Sequence, residues 1–276
     1  MTDAWEARVT WVGHVRRSSP SSVTAMVRAP RERARSSGTG AFLGIADDRR
    51  QYWVKVPGNP QGDQVLVNEV IVAGVGAIIG APVRDTVLLR VPANLTAWSQ
   101  FPARKSDVPL LAHGSLHLDS AIDDDGLQYT KHDDNARRQS RMVGLWDLCL
   151  GDDPQWAYDA SASYSVWSYD HGLWFTTIEG DWNEQILVRL LGVDGSYPSP
   201  PDGLDVDELV RTAKAIEAIS PPDLLAVVSA VPVEWGTSDS DLEAMAWFLY
   251  LRRRPVARRI RSLALTLTSP LTGSST

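Results

Sequence analysis

The chain opens with short apolar runs of strand spacing and closes with long stretches of helical spacing. Residues 9–15 and 22–29 are rich in apolar and β-branched side chains and read as strands. Residues 31–40 are basic and then rich in serine and glycine, a loop. Residues 41–46 and 51–56 read as a strand pair joined by the polar turn Asp47, Asp48, Arg49. A second loop, 57–63, carries two glycines and two prolines. Residues 64–80 give the clearest helix, apolar on most faces and ended by Gly80 with Pro82 beyond. Segments 83–91 and 110–118 return to strand spacing, and 118–134 is acidic and loop-like. Residues 136–150 are helical, with Met142, Leu145, Trp146 and Cys149 on one stripe. Two more strands, 164–169 and 173–178, flank Asp170-His171-Gly172. After Asp181 the spacing is helical over 183–191, 206–219, 222–230 and 239–253, with the proline-rich segment 196–203 after the first. Strands in front and helices behind predict an α+β fold.

Composition narrows the function classes. The 276 residues suffice for one large domain or two small lobes, and eleven tryptophans supply large flat pieces for a core. A formal charge of −7 excludes nucleic-acid binding by bulk electrostatics. Locally, Arg252, Arg253, Arg254, Arg258, Arg259 and Arg261 form a basic run, read as a solvated helix face, with nucleic-acid binding as the rival reading. The single cysteine, Cys149, allows no intrachain disulfide and fits a reducing compartment; its apolar neighbours make it a buried, inert thiol. The longest apolar run, 70–83, is too short to span a bilayer, and no signal-peptide pattern opens the chain. A cytoplasmic protein without membrane contact is expected.

The candidate chemistry rests on isolated charges. On a strand, Tyr52, Val54 and Val56 share one face and Trp53 and Lys55 the other. Lys55 is the only charge between Arg50 and Asp63, and Glu69 the only one over 64–83. A carboxylate on a buried helix needs a cationic partner, and the lysine of the preceding strand is the natural one. The alternative places Glu69 on a narrow solvated stripe with Gln64 and Asn68. The stretch Ser36-Ser37-Gly38-Thr39-Gly40 offers backbone N–H groups and hydroxyls to phosphate oxygens, or is a plain loop. Asp152 and Asp153 follow a helix end at Gly151, where a catalytic acid can meet a substrate hydroxyl; an Asp-Pro turn reads equally well. Asp170 beside Gly172 is either a cation ligand or part of a hairpin turn. His113 and His117 share a face without the partners of a zinc site.

Taken in order, these features resemble the HipA-like kinases. The run YWVKVPGNPQGDQVLVNEVIVAGVGAIIGAPV is similar to their amino lobe, and HDDNARRQSRMVGLWDLCLGDDPQWAYD followed by YSVWSYDHGLWF resembles their catalytic and metal loops. The resemblance spans about residues 35–182, roughly half the chain. It implies a two-lobed, protein-kinase-like α+β fold, with a sheet-rich nucleotide-binding lobe over 1–118 and a helical lobe over 119–276. It implies ATP- and Mg²⁺-dependent phosphoryl transfer to a protein hydroxyl, of toxin-like type, with an antitoxin-like partner. Lys55 would bind the ATP phosphates, oriented by Glu69, under a loop containing Ser37, Gly38, Thr39 and Gly40. Residues 111–115 would cross between lobes at the adenine edge. Asp153 would be the catalytic aspartate, with Asp152 as competitor, and Asp170 the metal ligand. The usual asparagine after the catalytic aspartate is absent, and Gln155 is the only amide there. A nucleotide-binding pseudokinase without turnover therefore stays open.

Overall fold

A computed structural model describes residues 3–34, 38, 40–175 and 182–268. Five strands near the front of the chain close into a barrel: β1 (Ala25–Arg33), β2 (Phe42–Ala46), β3 (Gln51–Lys55), β4 (Thr86–Val91) and β5 (Leu110–Leu116), in the order β1-β2-β3-β5-β4. The closing pair, β1 with β4, is parallel; the others are antiparallel. Strand alternation fills the barrel, with Val27, Phe42, Tyr52, Val54, Leu89, Val91 and Ala112 buried together. The same alternation turns Lys55 outward, away from the barrel core.

Between β3 and β4 the chain forms α1 (Gln64–Ile79). Gly80 ends it in the left-handed region, at φ 69°, a conformation glycine adopts without a side-chain penalty. Although α1 is inserted into the barrel sequence, its apolar side chains Val65, Leu66, Ile71, Val72 and Val75 belong to a second hydrophobic core. The rest of that core comes from α2 (Asn135–Leu148), α3 (Glu184–Leu190), α4 (Val206–Ala218), α5 (Pro221–Ser229) and α6 (Asp239–Thr268). A small antiparallel sheet, β6 (Ala121–Asp124), β7 (Trp156–Asp159) and β8 (Ser165–Ser168), lies around α2 in sequence. The chain is thus a mixed α/β protein, and among its described residues no helix is long and apolar enough to cross a membrane.

Several expectations are corrected. Residues 9–15 form no strand: Arg8–Trp11 is a 3-10 turn, and the backbone N–H groups of His14 and Val15 donate to Glu243 on α6 rather than to a sheet. Trp11 packs edge-on against Tyr250 of α6, so tertiary contact overrides strand propensity. The acidic loop contains β6, and the segment read as an Asp-Pro turn leads into β7, which pairs with both β6 and β8. Among the described residues no strand follows Asp170. Leu173, Trp174 and Phe175 lie in a turn instead, because the N–H of Phe175 donates to the carbonyls of Cys149 and Leu150; residues 176–178 lie outside the described residues.

The helix expected to end at 253 runs on through Pro255 to Thr268. An interior proline costs about 3 kcal/mol. Burial of Arg252 and Arg253 before it, and of Val256, Ala257 and Ile260 after it, keeps the helix continuous. The arginine run is accordingly only in part a solvated face: Arg254 and Arg258 are exposed, whereas Arg252 and Arg253 are buried. Arg252 is 1 % exposed, and its guanidinium donates to Asp147 and to the carbonyls of Leu148, Leu190 and Val193. Arg259 also pairs with Asp147, Arg253 with Asp3, Arg254 with Glu6 and Arg261 with Glu217.

Asp147 is fully buried near the end of α2, where it satisfies two guanidinium groups. Removing one partner of a buried ion pair leaves uncompensated charge. Asp147→Ala is therefore expected to lower stability by about 3–5 kcal/mol in urea denaturation. A loss below about 1 kcal/mol, the range of an exposed pair, would contradict this account of how α6 is anchored.

Candidate active site

The outer face of β3 and β5, the second turn of α1, the small sheet and two irregular loops enclose a cleft of about 760 Å³. Lys55 lies on its wall, 5 % exposed, with its ammonium in contact with both the Glu69 and the Asp170 carboxylates. A strand, a helix and a loop 115 residues away in sequence thus meet on one nitrogen. Burial alone would lower the Lys55 pKa, but the charges of Asp170 and Glu69 outweigh it and hold the lysine above its ordinary value. Burial likewise pushes Glu69 up, and the Lys55 ammonium and a hydrogen bond from His171 hold it well below the usual carboxylate range. The pair is ionised.

Glu69 is not on a solvated stripe, and neither are its neighbours. Asn68 is fully buried; its amide donates to the carbonyls of Gly172 (2.7 Å) and Trp174 (3.0 Å) and accepts from the Trp182 indole (2.8 Å). The Gln64 amide bonds both the N–H and the carbonyl of Trp182. The polar face of α1 is therefore spent on fixing the segment that carries Asp170. Gly172 permits close approach: a Cβ there would sit a tight 3.1 Å from the Val65 Cβ and 3.5 Å from the Lys55 ammonium.

Across the cleft, Asp153 follows the end of α2 with φ 48°, and Asp170 has φ 55°. Aspartate tolerates this left-handed region better than most residues. Asp153 lines the cleft and Asp152 does not; the Asp152 carboxylate accepts from the backbone N–H of Asp153 at 2.9 Å. Gln155 also lines the cleft, and its amide donates to the Asp153 carboxylate at 3.0 Å. Gly38 lies at the cleft beside Gln61, whereas Gly40 sits against Pro102 outside the cleft lining. Ser37 and Thr39 lie outside the described residues.

The placement of 111–115 is corrected. These residues are interior to β5, paired with β3 on one side and β4 on the other. His113 and Ser115 reach the cleft from that strand, and the chain leaves the barrel later, through Leu116–His117–Leu118–Asp119, which line its edge. Among the described residues no group of three or more His, Cys, Asp or Glu side chains is arranged to hold a metal ion alone. The oxygen donors at hand, Asp170 and Asp153, are of the kind that hard cations take alongside a ligand's own oxygens. The sequence reading gives Gln64, Asn68, His113 and His171 no role at the site. The signal for Gln64 and Asn68 is the polar face they form with Glu69 on an otherwise apolar helix, a signal that His113 and His171, which lie off that helix, do not share.

No family model matches the chain, and no curated protein matches its sequence. Its structure, however, is similar to the crystal structure of a Helicobacter pylori proinflammatory kinase, CtkA, with a TM-score of 0.56. The match covers 90% of this chain and 98% of that one, at 11% sequence identity. The chain has a kinase-like fold. At that identity the likeness concerns the fold, and the cleft's chemistry rests on the residues themselves.

His113 gives this site a measurable signature. It is 1 % exposed, neither ring nitrogen has a hydrogen-bond partner among the described residues, and burial pushes its pKa down to about 4. Between pH 4 and the ordinary histidine value near 6.5, the unfolded chain binds the proton and the folded chain does not. Stability therefore rises with pH across that window and is lost as pH falls through it. His113 contributes at most about 3 kcal/mol to this slope. His113→Leu is expected to flatten the dependence of urea-denaturation free energy on pH between these limits. An unchanged slope would show that His113 protonates freely in the folded state.

Proposed function

We propose that this chain is an ATP- and Mg²⁺-dependent protein kinase of the HipA-like type, transferring a phosphoryl group to a protein hydroxyl. The observation that carries the reading is a buried lysine held between a helix glutamate and a loop aspartate, on the wall of a cleft that a second loop aspartate also lines. In this reading the barrel end, residues 1–118, serves as the nucleotide-binding lobe and 119–276 as the helical lobe. The first 20 or so residues are the exception, since they pack on α6. A cytoplasmic setting, an unidentified protein substrate and an antitoxin-like partner belong to the same proposal.

Each residue has a chemical task. The Lys55 ammonium has three N–H donors, two of them facing carboxylates, and the third is available to a phosphate oxygen. Glu69 fixes the lysine's position. Gly38, which lies at the cleft, would offer its backbone N–H to a phosphate oxygen. Leu116 and Leu118, at the chain's exit from the barrel, offer the base an apolar edge. Asp170 would hold Mg²⁺, with Gln155 as a weaker, neutral ligand through its amide oxygen. When bound, the cation neutralises phosphate charge and keeps the transferred group in line. Asp153 accepts the proton of the attacking hydroxyl.

A second reading, nucleotide binding without turnover, is favoured by one observation: the Gln155 amide is engaged with Asp153, the group meant to act as base. Calorimetry with a non-hydrolysable ATP analogue, with and without Mg²⁺, and transfer from radiolabelled ATP separate the two. Asp170→Ala is expected to abolish Mg²⁺-dependent binding. Asp153→Ala should spare binding and reduce transfer about 100-fold or more, and Gln155→Ala should cost less than either. Binding without transfer by the wild type would leave the second reading in place. Absence of binding would overturn both.

A further inference from the structure

The side chain that follows Asp170 is held as firmly as the lysine. His171 is 1 % exposed and packs edge-on against Trp174, with ring centroids 4.7 Å apart. Its Nδ1 lies 3.2 Å from Glu69 Oε2, and its Nε2 lies 2.7 Å from the Ser168 hydroxyl. A carboxylate only accepts, so the hydrogen-bond network assigns the ring proton to Nδ1; Nε2 then accepts from Ser168. Ser168 is itself anchored, its N–H donating to the Pro82 carbonyl at 2.8 Å and its carbonyl accepting from the Arg84 N–H at 3.0 Å. The chain of contacts runs from β8 through Ser168 and His171 to Glu69, and from there to Lys55.

This chain sets how Glu69 meets the lysine. Lys55 contacts only Oε1, because His171 occupies Oε2. Without His171 the second oxygen would be buried and unpaired, a state that costs the desolvation of a charged acceptor. Rotation of the carboxylate to place both oxygens on the ammonium would relieve that cost. It would also turn the ammonium's free donor away from the cleft.

We propose that His171 is a positioning residue for Lys55: by holding Glu69 Oε2 it restricts Glu69 to one contact and keeps the third ammonium donor aimed at the ligand's phosphate. This rests on the nucleotide-binding reading above, and it adds a residue acting through Glu69 rather than on the ligand. It also makes the lysine's geometry depend on the aspartate loop, because Asp170 and His171 are adjacent and move together.

The test uses His171→Phe, which keeps an aromatic ring against Trp174 and removes both nitrogens. It is paired with His171→Asn, whose amide N–H replaces the Nδ1 donor, and with Ser168→Ala, which removes only the rear anchor. Two measurements are made: affinity for the ATP analogue with Mg²⁺, and the rate at which an amine-acylating reagent labels Lys55 in the free protein, read by mass spectrometry. His171→Phe is expected to weaken analogue binding about tenfold and to slow Lys55 labelling. His171→Asn should return affinity to within about threefold of wild type, and Ser168→Ala should move both readouts in the same direction as His171→Phe, but less. In a Lys55→Met background His171→Phe should change affinity no further, whereas a merely structural role would weaken binding in both backgrounds. Unchanged labelling in His171→Phe and Ser168→Ala would overturn the inference. Slowed labelling in a protein that binds no nucleotide would sustain the positioning role and overturn the kinase reading instead.

Discussion

Everything at the cleft depends on one buried ammonium group. Taking Lys55 out of water is expensive unless compensating charge arrives with it, and it arrives from two directions, Glu69 on α1 and Asp170 on the loop after β8. The lysine belongs to the barrel, yet the helix that carries its partner is packed into the other hydrophobic core. The ion pair therefore crosses between the two cores, and the register of β3, the rotation of α1 and the path of the loop must agree within hydrogen-bond tolerance. Barrel closure contributes by holding β3 between β2 and β5, so that Lys55 cannot retreat without breaking paired strands.

The loops that supply the acids are irregular, and their irregularity is stabilised from outside. Leu150, Asp153, Asp170 and Phe175 all have positive φ without being glycine. Such conformations cost on the order of 1–3 kcal/mol each and persist where surrounding contacts fix them. Here Asn68 holds the carbonyls of Gly172 and Trp174, and the Phe175 N–H reaches back to the end of α2. Asp153 and Asp170 are thus aimed by backbone that repetitive structure could not provide, on supports drawn from α1 and α2. Rigid elements place the loops, and the loops place the carboxylates.

How far the sequence disclosed this depends on the kind of interaction involved. Lys55 and Glu69 were legible because each is an isolated charge in an apolar context, and a buried charge implies a partner. The alternation of Tyr52, Val54 and Val56 gave the barrel face, and Gly80 with Pro82 gave the end of α1. Residues 9–15 were misread because strand and 3-10 turn are separated there by contacts with α6, more than 220 positions away in sequence. Asp170-His171-Gly172 has turn composition, but among the described residues the antiparallel partner of β8 is β7, whose approach through Asp153-Pro154 reads as a turn rather than as the start of a strand. The arginine run looked solvated because its acceptors, Asp147, Asp3, Glu6 and Glu217, are scattered through the chain. The Ser168 to His171 to Glu69 relay has no local pattern at all.

The cleft's charge balance bears on what it can hold. Its lining carries the cations Lys55 and Arg84 against the acids Glu69, Asp119, Asp123, Asp124, Asp125, Asp153 and Asp170. Glu69 and Asp170 are already matched with Lys55, and Arg84 spends its guanidinium on the carbonyls of Leu116 and His117 while stacking on Trp167. What faces an entering molecule is therefore a surplus of carboxylates. A bare triphosphate would be repelled by such a surface, since like charges in a partly desolvated cleft interact more strongly than in water. A triphosphate that carries a divalent cation would, on the proposed reading, have part of that repulsion offset and would take Asp170 and Asp153 as ligands of the cation. On the proposed reading, cation dependence follows from the electrostatics of the whole lining. It does not require the missing asparagine, because the surplus of oxygen donors exceeds what one or two carboxylate contacts to Mg²⁺ demand.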